Sequence, residues 1–85
     1  MKINKNMAIH CKTKEEAQQL IEYLTLNGLQ WYETSAFGEC SYNAYKENTC
    51  YCISDSGNCI QYSGIGYFMT NMYNIICFEK FIKNI

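Results

Sequence analysis

Along residues 45–64 (YKENTCYCISDSGNCIQYSG), apolar residues alternate with thiols and polar residues in the pattern of a β-hairpin. Tyr51 and Ile53 alternate with Cys50 and Cys52, and Ile60 and Tyr62 alternate with Cys59 and Gln61. Asp55-Ser56-Gly57-Asn58 between them supplies residues that tolerate left-handed backbone angles. With Ser56 and Gly57 as the loop, Ile53 lies opposite Ile60 and Tyr51 opposite Tyr62. These four are expected to be buried on one face, under a helix, while Cys50, Cys52 and Cys59 share the other.

Elsewhere the period changes. Met7, Ile9 and Cys11 alternate as a first strand. Thr13-Lys14-Glu15-Glu16 then reads as a capping box, followed by Ala17, Leu20, Ile21 and Leu24 at helical spacing. Asn27-Gly28 is a left-handed stop, so the pattern predicts a helix over about 14–26. Residues 29–33 read as a second strand and 34–46 as a long loop, a kind of segment that often carries function. Gly64-Ile65-Gly66 reads as irregular, 73–78 as a last strand, and 79–85 as a final short turn of helix. The expected fold is one α+β domain over residues 1–85. It has β-α-β-β-β order, with one main helix on a small, mostly antiparallel sheet and a short C-terminal helix.

Composition narrows the function by exclusion. At 48% hydrophobic and 18% charged the chain is globular, and at 85 residues it has no second domain to form a cleft with. It contains no Arg, the residue that forks onto phosphates and guanine edges, and its net charge is −1, which argues against a sequence-reading nucleic-acid binder. There is no run of apolar residues long enough to span a membrane and no apolar leader, so a cytosolic location with reduced thiols is expected. The absence of Pro, Val and Arg beside abundant Asn, Ile, Lys and Tyr fits A+T-rich codons and a low-GC bacterium or its mobile elements.

No catalytic apparatus is visible. His10 and Cys11 are neighbours on a strand and point to opposite faces. The G-I-G-Y piece lacks the Lys-Ser/Thr of a phosphate loop. Cys40, Cys50, Cys52 and Cys59 form the one candidate metal set, with spacing C-x9-C-x-C-x6-C in place of the usual C-x2-C pairs. The simpler expectation is that these thiols are small apolar fillers, with no cofactor or metal. Aromatic residues and acids are the remaining constellation. Residues 15–60 carry seven acids against Lys46 alone, a surface suited to a basic protein partner. Trp31, Tyr32, Glu39, Tyr42, Tyr45 and Glu47 are the candidate partner-binding residues, since Tyr and Trp dominate interface hot spots.

The segments TKEEAQQLIEYL, NGLQW, YKENTCYCI, IQYSG and YNIICFEKF resemble a type of small accessory protein encoded by phages and prophages of low-GC bacteria. The resemblance spans residues 7–82. It implies a small inhibitor of host defence, a class that includes anti-CRISPR proteins and sponges for nucleotide signals. The expected function is therefore a non-enzymatic inhibitor that binds and blocks a host defence protein. The alternatives are an oligomeric module sequestering a small nucleotide, or a zinc-stabilised interaction module.

Overall fold

A computed structural model describes residues 6–31, 45–53 and 59–83. The first helix, α1 (Lys14–Leu26), owes both its ends to short-range chemistry. Thr13 Oγ1 accepts the Glu16 N–H at 3.1 Å, and Glu16 Oε1 reaches back to accept the Lys12 N–H at 2.9 Å. At the other end the Gly28 N–H bonds the Thr25 carbonyl and the Leu29 N–H bonds the Leu24 carbonyl. This is the paired closure that needs a left-handed residue, and Gly28 supplies it with φ +89°. Ala17, Leu20, Ile21 and Leu24 form the buried stripe between those caps.

The strands are β1 (Met7–His10), β2 (Gln30–Trp31), β3 (Thr49–Ile53), β4 (Cys59–Gly64) and β5 (Asn74–Cys77). They form one sheet in the order β2-β4-β3-β1-β5. The middle pairs, β4-β3 and β3-β1, are antiparallel, and the outer pairs, β2-β4 and β1-β5, are parallel. The hairpin register is the one read from the sequence, with Tyr51 opposite Tyr62 and Ile53 opposite Ile60. Two further helices are α2 (Ile65–Thr70) and α3 (Phe78–Lys83).

Alternation along each strand feeds two cores. On one face Met7, Ile9, Cys11, Tyr51 and Ile60 meet the stripe of α1 and the two phenylalanines of α3, Phe78 and Phe81. On the other, Ala8, Cys50 and Cys52 meet Phe68 of α2, with Ile65, Tyr73 and Ile75 around them. The chain is thus an α+β domain with helices on both faces of the sheet.

Two expectations are corrected by α2. Gly64-Ile65-Gly66 was expected to be irregular, and Cys50 and Cys52 were expected on the hairpin face turned away from the one helix placed over the sheet. The thiols do point away from α1, but they are 0% and 4% exposed because α2 lies over them. Apolar thiol-bearing strand positions are covered by Phe68, which anchors a helix too short to persist by itself.

The end of α2 repeats the closure of α1 without a glycine. Met72 N–H bonds the Met69 carbonyl, Tyr73 N–H bonds the Phe68 carbonyl, and Met72 takes the left-handed position at φ +60°. Its side chain is 90% exposed, so packing does not offset the strain. An L-residue in that region costs about 1–2 kcal/mol, and glycine's extra unfolded-state freedom costs about 0.5–1. Met72→Gly is therefore expected to stabilise the fold by up to about 1 kcal/mol, read as a higher midpoint in urea. A lower midpoint would show that the Met72 side chain contributes to stability.

Candidate functional site

Tyr45 and Glu47, two of the residues singled out from the sequence, sit two apart at a short 3₁₀ turn over Lys46–Asn48. Both are exposed, and the turn between them is held in an unusual conformation: Lys46 has φ +52°. A left-handed lysine persists only where its surroundings impose it.

Three anchors impose it. Thr49 is fully buried and donates twice to the Lys46 carbonyl, through its backbone N–H and through Oγ1 at 2.7 Å. His10 Nε2 lies 2.7 Å from the Glu47 carbonyl oxygen. A carbonyl only accepts, so Nε2 carries the proton and donates. The third anchor is Gly64, the register partner of Thr49. The Tyr45 ring lies so close over it that a Cβ there would sit 2.9 Å from the ring.

Tyr62 completes the surface. Its ring meets Tyr45 edge to face at 6.0 Å and Tyr51 at 6.2 Å. The alternation predicted Tyr62 as buried, and here the structure corrects it: Tyr62 is 38% and Tyr45 41% exposed. The Tyr62 ring packs on that of Tyr45, itself exposed at the neighbouring turn, and is not part of the core under α1. The result is a ledge of two tyrosines with the exposed side chains of Lys46 and Glu47 beside it.

Of the other candidate partner residues, Trp31 pairs through its backbone with Ile60 at the same edge of the sheet. Tyr32, Glu39 and Tyr42 lie outside the described residues, as does Cys40 of the candidate metal set. Cys50 and Cys52 are on the α2 face and Cys59 is half-buried. Among the described residues no three His, Cys, Asp or Glu side chains gather closely enough to hold an ion.

The buried thiols are chemically quiet. Burial, then the neighbouring Cys52 thiol, pushes Cys50 up to about 12. Burial, and after it Glu16 and Cys50, raises Cys11 well above the ordinary thiol range. At neutral pH both remain protonated, and a thiol is a poor nucleophile and metal ligand until it ionises. His10, the one histidine, uses its Nε2 to hold the ledge.

Lys46 was missed by the sequence reading, and no signal marks it, since K-E-N is unremarkable helix or turn sequence. Among the described residues, no helix is long and apolar enough to cross a membrane. No family model, curated protein or solved structure matches the chain.

Proposed function

We propose that this chain is a non-catalytic, phage-type inhibitor that binds and blocks a protein component of host defence, as anti-CRISPR proteins do, in the bacterial cytosol. The observation that carries the reading is the ledge of Tyr45, Lys46, Glu47 and Tyr62. Half-exposed Tyr45 is fixed at a strained, triply anchored turn, and its ring packs edge to face on half-exposed Tyr62 of β4. Rigid aromatic residues that are ordered before binding lose little entropy on contact, which is why such residues form hot spots. Glu47 presents an acid to a basic partner beside them. The protonated, buried Cys11 and Cys50 suit a role without covalent chemistry. The two exposed rings meet at 69°, unlike the parallel plates that would sandwich a nucleobase, so a protein partner is favoured over a nucleotide.

Capture of partners from a host lysate, with phage survival measured in parallel, tests this. Tyr45→Ala and Tyr62→Ala are each expected to weaken binding by about 2 kcal/mol, roughly thirtyfold in Kd, without unfolding the chain. Retention of full affinity and protection by both variants would remove the ledge from the interface. Failure to capture any protein, with no change in phage survival on expression, would sink the inhibitor reading itself.

A further inference from the structure

The described sheet ends on one side at β2 (Gln30–Trp31). At the other end β5 runs Asn74-Ile75-Ile76-Cys77, and no described strand lies beyond it. The usual protections of an open edge are a charge, a proline or a bulge. The described β5 has none of them. Its residues are N-I-I-C, the chain contains no Pro, and its parallel register with β1 is unbroken.

The direction of the free backbone groups follows from one bond. The Asn74 N–H donates to the Asn6 carbonyl at 2.7 Å, so Asn74 turns its backbone towards β1. Backbone direction alternates along a strand, so Ile76 also faces β1 and Ile75 turns its N–H and C=O outward. The strand itself and the sequence leading into it are free of charge, the next charges being Glu79 and Lys80 of α3. Residues 56–78 contain no Lys, Arg, Asp or Glu, although the chain carries fifteen such residues elsewhere. Exposed Met72 and Cys77 bracket the strand.

We infer that β5 is the seam of a homodimer, pairing antiparallel with β5 of a second copy so that Ile75 lies opposite the same residue of that copy. There the two isoleucines exchange N–H···O=C bonds in both directions, and a two-fold axis perpendicular to the sheet runs between them. A second copy is the occupant that fits because it brings an equally uncharged edge. Like meets like across a two-fold axis, and any charge near it would face itself. A heterologous strand would have no reason to be matched in this way. The pairing makes one continuous sheet and sets both α2 helices on the same side of it.

The test is the molar mass of the full chain by size exclusion with light scattering over a concentration series. The expected value is twice the 9.9 kDa chain. Cys77→Lys adds a gatekeeping charge at an exposed position, and Ile75→Pro removes the outward N–H while sparing the β1 ladder. Each is expected to halve the mass while far-UV circular dichroism stays unchanged. Should Ile75→Pro fail to fold, Cys77→Lys alone decides. A wild-type monomer at the highest soluble concentration overturns the proposal, as does a folded Cys77→Lys variant that stays dimeric. If the wild type is monomeric and Cys77→Lys abolishes capture of a host protein, the edge belongs to that protein and the dimer is wrong. Tyr45→Ala should leave the mass unchanged, which separates this outcome from any failure of the ledge.

Discussion

Replacing Phe68 with Ala is expected to cost about 3–5 kcal/mol and to open Cys50 and Cys52 to thiol reagents. Phe68 is 1% exposed and is the one buried side chain of α2. Its ring stands edge-on to Tyr67 at 5.2 Å and to Tyr73 at 4.8 Å, and its other neighbours are Ala8, Cys50 and Cys52. Among the described residues no other large side chain of this layer is fully buried, and Ile65, Tyr73 and Ile75 only border the space. Small domains sit at the low end of the 5–15 kcal/mol range of native stability, so a loss of this size approaches the whole margin. Denaturation in urea gives the energy, and the rate of reaction with a thiol-specific dye gives the exposure. A variant with near-wild-type stability and unreactive thiols would mean that α2 is not what seals this face.

Phe81→Ala is expected to cost a similar amount, about 3–5 kcal/mol, through the opposite core. Phe81 is fully buried and meets Tyr23 of α1 edge to face at 5.8 Å. It ties the last helix to the first one over the sheet. Leu26→Ala provides the contrast, since Leu26 lies in the same helix as Tyr23 but is 86% exposed. Surface truncations of that kind usually stay within about 0.5 kcal/mol. Calorimetric or urea midpoints of the two variants should therefore separate widely. Equal midpoints would contradict the placement of α3 against α1.

The parts of this fold that sequence makes legible are those whose causes are local. The ends of α1 are written in Thr13, Glu16 and Gly28, each within four residues of the group it satisfies. The hairpin register follows from period-two alternation on both sides of a turn, because a slip by one residue would turn Tyr51 and Ile60 out of the core. α2 carries no such marks. It opens on Gly64 without a side-chain cap, contains Gly66, and stops at a left-handed methionine where a glycine would have announced the end. What holds it is the contact of Phe68 with Ala8 and Cys50, which are distant in sequence. The site divides in the same way. Tyr45 and Glu47 stand out because they border a long loop. Tyr62 does not, since its place on the apolar side of the β4 alternation marks it for the core, while its ring packs on exposed Tyr45.

The position of β1 in the sheet has a consequence for how the chain is made. Met7–His10 lies between β3 and β5, so this strand waits for two neighbours that are both made after it. α1 can form early, and the β3-β4 hairpin can close as soon as residue 64 is available. The parallel pairing of Met7 with Asn74 and of His10 with Cys77 needs almost the whole chain. Contacts so far apart in sequence slow folding, because the entropy of closing a long loop is lost before any contact rewards it. Met7 and Ile9 can meet the stripe of α1 early, but the described sheet is completed only by β5, with Phe78 and Phe81 close behind it to finish their cover.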